Sequence, residues 1–179
     1  PPSGTPYYTS NYTVDNSVIS NNILHDSIDD GIEIDGRYNN LVVKGNRVYD
    51  TYSPFSATGA KKGNVYVYEN LFVADKVISD RHGAIKIGPS YALKMNGEGE
   101  AIEYKNMYLY HNTFYFAGNS NHRRTIESLP TSITKNVSFT NNIFYSTQGG
   151  ILRGTGKASD GIEYDGNVFY SPVSDSDPD

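Results

Sequence analysis

Asn64-Val65-Tyr66-Val67-Tyr68-Glu69-Asn70-Leu71-Phe72 is the stretch that decides how this chain folds. Val65 and Val67 alternate with tyrosines, as in a strand with one face turned inward. A polar pair ending in Asn70 follows, and a large apolar residue, Phe72, stands two positions later. The same order recurs as Ser17-Val18-Ile19-Ser20-Asn21-Asn22-Ile23-Leu24 and Asn40-Leu41-Val42-Val43-Lys44-Gly45-Asn46-Arg47-Val48. It returns as Asn106-Met107-Tyr108-Leu109-Tyr110-His111-Asn112-Thr113-Phe114, Asn136-Val137-Ser138-Phe139-Thr140-Asn141-Asn142-Ile143-Phe144 and Gly161-Ile162-Glu163-Tyr164-Asp165-Gly166-Asn167-Val168-Phe169. The second asparagines, 22, 46, 70, 112, 142 and 167, lie 24, 24, 42, 30 and 25 residues apart. Coils of roughly 22–25 residues with loops of varying length fit a parallel solenoid; a sandwich needs no such common register.

The asparagine has a specific use. It tolerates the left-handed backbone of a tight bend, and its amide can bond to equivalents above and below in a ladder. The ladder asparagine is therefore expected at the bend itself, with Leu24, Val48, Phe72, Phe114, Phe144 and Phe169 pointing back inside. His111, directly before Asn112, reads as a further bend residue. A third strand is expected in Gly31-Ile32-Glu33-Ile34, Phe55-Ser56-Ala57-Thr58, Ala84-Ile85-Lys86-Ile87, Thr125-Ile126-Glu127-Ser128 and Gly150-Ile151-Leu152-Arg153. Its inward positions would be Ile32, Ile85, Ile126 and Ile151, and its outward ones Glu33, Ser56, Lys86, Glu127 and Leu152.

Composition agrees with an all-β chain: 18 Asn, 17 Gly and 16 Tyr, with no Cys and no Trp. Asn and Gly favour turns, and Tyr, Val, Ile and Phe favour strands. The net charge of −5, with no basic block, argues against nucleic acid as a partner. No apolar run approaches the ~20 residues that span a bilayer, so no membrane partner is expected. The absence of Cys excludes disulfides and thiolate metal sites. The domain reading is an irregular segment over 1–16, the solenoid over 17–170 and a polar, disordered tail over 171–179. No amphipathic lid is evident at either end. The expectation is a piece of a larger protein, or end-to-end contact with another chain; an irregular cap over Pro6 to Val14 is the alternative.

Asp29-Asp30-Gly31-Ile32-Glu33-Ile34-Asp35-Gly36, Asn40 to Asn46, Tyr110-His111-Asn112-Thr113-Phe114-Tyr115 and Asn141-Asn142-Ile143-Phe144-Tyr145 together resemble the right-handed parallel β-helix repeat superfamily, the architecture of pectate lyases and other polysaccharide-active proteins. The resemblance spans roughly residues 17 to 170. It implies a right-handed parallel β-helix of about six coils, an extracellular or cell-surface location and work on carbohydrate.

In such enzymes the groove runs along the outer face of one sheet. The third strands gather the most charge: Glu33, Lys86 and Glu127, with Asp29, Asp30, Arg81, His82, Arg123 and Arg124 in the preceding turns. At about 4.8 Å between strands, Lys86 and Glu127 would lie about 5 Å apart, and Glu33 and Glu127 about 14 Å, too far for a glycosidase pair, which leaves Asp29, Asp30, Glu33 and Asp35 of one coil for that role. β-Elimination on an acidic polysaccharide fits better. Asp29, Asp30 and Glu33 would hold Ca²⁺, Lys86 would be the base, and His82 and Arg124 would move protons or steady charge. Arg81, Arg123 and Glu127 would bind the polymer. The competing reading is a non-catalytic polysaccharide-binding or structural module, for which outward tyrosines such as Tyr66, Tyr68, Tyr108 and Tyr110 would stack on sugar rings.

Overall fold

Among the described residues ten non-glycine residues carry positive φ, six of them asparagines, and they mark the corners of the fold. The computed structural model describes residues 14–34, 38–57, 63–75, 78–79, 85–86, 93–94, 104–117, 126–127, 134–147 and 162–172. Between corners the chain is extended, and no helix occurs among the described residues. Strands are numbered along the chain. The first parallel sheet holds β2 (Val18–Ser20), β6 (Leu41–Lys44), β9 (Val65–Tyr68), β14 (Tyr104–Tyr110), β17 (Thr134–Thr140) and β19 (Ile162–Asp165). The second holds β3 (Ile23–Leu24), β7 (Arg47–Val48), β10 (Leu71–Ala74), β15 (Thr113–Phe116), β18 (Ile143–Ser146) and β20 (Val168–Tyr170). The third holds β4 (Asp30–Glu33), β8 (Ser53–Ser56), β13 (Leu93–Lys94) and β16 (Ile126–Glu127). β1 (Val14–Asp15), inside the segment expected to be irregular, pairs with β5 (Tyr38–Asn39); β11 (Ile78–Ser79) and β12 (Ile85–Lys86) pair antiparallel. In the first two sheets each repeat adds one strand beside the last, and the third holds four strands among the described residues. The chain is all-β, with parallel strands stacked rung upon rung, an arrangement compatible with a parallel β-helix solenoid.

The six asparagines form one column. Asn22 donates to Oδ1 of Asn46 from its backbone N and its Nδ2, both at 3.0 Å. Asn46 does the same to Asn70, Asn70 to Asn112, Asn112 to Asn142 and Asn142 to Asn167, at 2.9–3.1 Å. Each Nδ2 from Asn46 onward also donates to a backbone carbonyl one rung back, from Ile19, Val43, Val67, Leu109 and Phe139 in turn. The expected bend residue is corrected by one position. Positive φ belongs to Asn21, Gly45, Glu69, His111, Asn141 and Gly166, each just before a ladder asparagine. The left-handed residue turns the corner, and the ladder asparagine satisfies the carbonyls that the corner would strand in the interior.

Behind the ladder runs the core. Val48, Phe72, Phe114 and Phe144 are fully buried, as expected, while Phe169 is 46% exposed. Phe55, Phe72, Phe114, Phe144 and Phe169 stack in sequence, ring centroids 5.0–5.2 Å apart. Each fully buried phenylalanine contributes about 1.5–3 kcal/mol by removal from water.

The third sheet departs from expectation. Its third strand is Leu93–Lys94, in register with Phe55–Ser56 on one side and Ile126–Glu127 on the other. Ile85–Lys86 instead pairs with Ile78–Ser79. Both dipeptides read apolar-Lys, and two residues carry no periodicity to separate them. The second strand is Ser53–Ser56, two residues earlier than expected. Residues 150–153 lie outside the described residues.

Candidate functional site

Six repeats in one register place outward side chains in vertical files. On the first sheet one file reads Val18, Val42, Tyr66, Tyr108, Ser138, Glu163, and the other Ser20, Lys44, Tyr68, Tyr110, Thr140, Asp165. Tyr66 stacks on Tyr108 at 5.4 Å and 18° between planes, and Tyr68 on Tyr110 at 4.8 Å and 8°. Near-parallel rings at that separation meet face to face with an offset, so the faces look along the stack of rungs. The next rung supplies only Ser138 and Thr140. The aromatic stack stops there, and the outer faces of Tyr108 and Tyr110 overlook two short hydroxyl residues. The result is an open notch of about 440 Å³ lined by Tyr66, Tyr108, Tyr110, His111, Ser138, Thr140 and Asn141.

The corner closes one end of the notch. His111 and Asn141 are both left-handed, Asn141 Nδ2 lies 3.5 Å from His111 Nε2, and the His111 ring meets Tyr110 edge-on at 5.6 Å. Burial, then the neighbouring Tyr68, Glu69 and Tyr66, raises the Tyr110 phenol above the usual tyrosine value, so it remains a neutral donor. A second aromatic row, Tyr115, Tyr145 and Tyr170 on the second sheet, runs without interruption at 5.5 and 4.6 Å. Only Tyr145 is covered on both faces; Tyr115 has Val73 on the rung before it, and Tyr170 is half exposed.

The charged wall expected on the third sheet is only partly assembled. Glu33 and Asp29 are exposed, but alternation turns Asp30 to the same side as Ile32, and its Oδ1 is buried. Asp29, Asp30 and Glu33 therefore do not converge, and among the described residues no three such side chains could hold a metal ion. The Asp29-Asp30-Gly31 turn has a packing reason instead: a Cβ on Gly31 would lie 2.4 Å from Val48 Cγ1 and 3.0 Å from the Pro54 carbonyl. Ser56, expected outward, is fully buried. The place given to Lys86 is held by Lys94, which stands in register with Glu127. Arg81, His82, Arg123 and Arg124 lie outside the described residues.

No family model matches this chain, and neither the curated proteins nor the solved structures yielded a match.

Outward tyrosines were legible in the sequence, but the notch was not. Its signal lies in the residues four and two before each ladder asparagine. Read down the repeats they run Val/Ser, Val/Lys, Tyr/Tyr, Tyr/Tyr, Ser/Thr, Glu/Asp. The change from Tyr/Tyr to Ser/Thr is the edge of the site.

Proposed function

We propose that this chain is a right-handed parallel β-helix that binds polysaccharide outside the cell, with the tyrosine notch as its sugar site. The observation that carries this reading is the interrupted stack: two aromatic faces left uncovered above hydroxyl side chains. A sugar ring has an apolar C–H face and a polar rim, and Tyr108 and Tyr110 suit the first while Ser138, Thr140 and Asn141 suit the second. The catalytic version of this reading, β-elimination on an acidic polymer with Ca²⁺, draws on Arg81, His82, Arg123 and Arg124, which lie outside the described residues.

The test is affinity electrophoresis of the intact chain through gels containing a panel of neutral and acidic polysaccharides, with and without Ca²⁺. Retardation by at least one polymer is expected, together with no unsaturated, ultraviolet-absorbing product. Thr140→Tyr continues the stack into the notch and should abolish retardation while leaving the fold intact by circular dichroism. Undiminished binding by that variant overturns the assignment of the site. No retardation in any gel overturns the function.

A further inference from the structure

We infer that the notch takes an uncharged glycan and lays it along the strands, across the stack of rungs; this rests on the polysaccharide reading of the same site. The wall facing the tyrosines is acidic. Register sets Glu163 beside Ser138 and Asp165 beside Thr140, one rung beyond the hydroxyl floor. Both carboxylates are exposed, and neither forms an ion pair among the described residues. They stand about 5 Å from the floor. Lys44, the cation of the same file, is three rungs from Thr140, about 14 Å, which exceeds the screening length of roughly 8 Å at physiological salt. Glu69 adds a further negative charge near Tyr110. The charges one rung beyond the floor are therefore negative, and Lys105 and Lys135 stand three residues back along the strands of the notch, about 10 Å away. A uronate or sulfate would be repelled by the carboxylates, whereas sugar hydroxyls can donate to Glu163 and Asp165 in charge-assisted bonds.

The direction follows from the aromatic faces. A ring stacked on Tyr108 or Tyr110 continues the file of rings, so its plane lies across that file. The rung behind is filled by Tyr66 and Tyr68, so a glycan cannot pass along the stack. Along the strands the notch runs from Ser138 to Asn141, about 10 Å, long enough for two linked sugar rings. Affinity should thus rise from monosaccharide to disaccharide and then level off.

Titration calorimetry on the intact chain tests both parts. The probes are neutral gluco-, manno- and galacto-oligosaccharides of increasing length and oligogalacturonates of matched length. Wild type should bind a neutral series at least about tenfold more tightly than the uronates at low salt, and E163Q/D165N should narrow that gap. Tyr110→Ala should weaken neutral binding about tenfold or more. Uronates that bind wild type as tightly as neutral sugars, or a gap untouched in E163Q/D165N, overturn the charge selection while leaving the sugar reading in place. Steady gain with every added sugar overturns the direction. Binding of neither class overturns the sugar reading and this inference together.

Discussion

Two asparagine columns run through this molecule, and they make the same bond in different surroundings. In the inner column, Asn46 reaches Asn70 at 2.9 Å with both residues buried. In the outer column, Asn40 reaches Asn16 at 3.0 Å and Asn136 reaches Asn106 at 2.9 Å in exposed bonds. The inner asparagines are not left-handed, whereas Asn16, Asn40, Asn106 and Asn136 all are. Asparagine thus does two jobs here. Inside, it replaces the water that buried carbonyls would otherwise have. Outside, it makes a left-handed corner tolerable, and its amide bond is incidental.

The largest effect should follow from Asn112→Ala. That change strips acceptors from the Asn70 N and Nδ2, and a donor from the Val67 carbonyl, all in the interior. It should cost about 3–5 kcal/mol in urea unfolding. Asn40→Ala loses an exposed bond and forces alanine into a left-handed corner, for about 1 kcal/mol. If the two costs prove equal, burial is not what separates the columns. Glu69→Gly works in the opposite direction. Glu69 is exposed with φ at 57°, and glycine there should stabilise by up to about 1 kcal/mol. Ser53→Ala should be near neutral or slightly stabilising, because the Ser53 Oγ is buried with no hydrogen-bond partner.

A separate effect concerns pH. Burial pushes the Tyr164 phenol up to about 12, although the residue is 39% exposed. The folded chain then holds this proton more tightly than the unfolded chain. Its contribution is complete below pH of about 10 and is lost as pH rises from there toward 12. The urea midpoint of wild type should fall over that range, and the fall should be shallower in Tyr164→Phe.

The inner column was fully legible in the sequence, because a buried amide ladder admits one residue type at one position per rung. The first two sheets follow from it, since their strands sit at fixed offsets from each ladder asparagine. The third sheet has no such anchor. Ile85-Lys86 and Leu93-Lys94 look alike locally, and only pairing with Phe55–Ser56 chooses between them. The notch escaped for a different reason. It is a missing pair of side chains in an otherwise filled file, and single-strand patterns do not display what a neighbouring rung lacks.

Every amide in the inner column points the same way: each asparagine from Asn22 to Asn142 donates to the next one along. Turning one around would press two carbonyl oxygens together in the interior. The file is therefore a one-way arrow, and anything that extends it must join head to tail. Two copies of this protein meeting through equivalent ends could not carry the arrow across their junction.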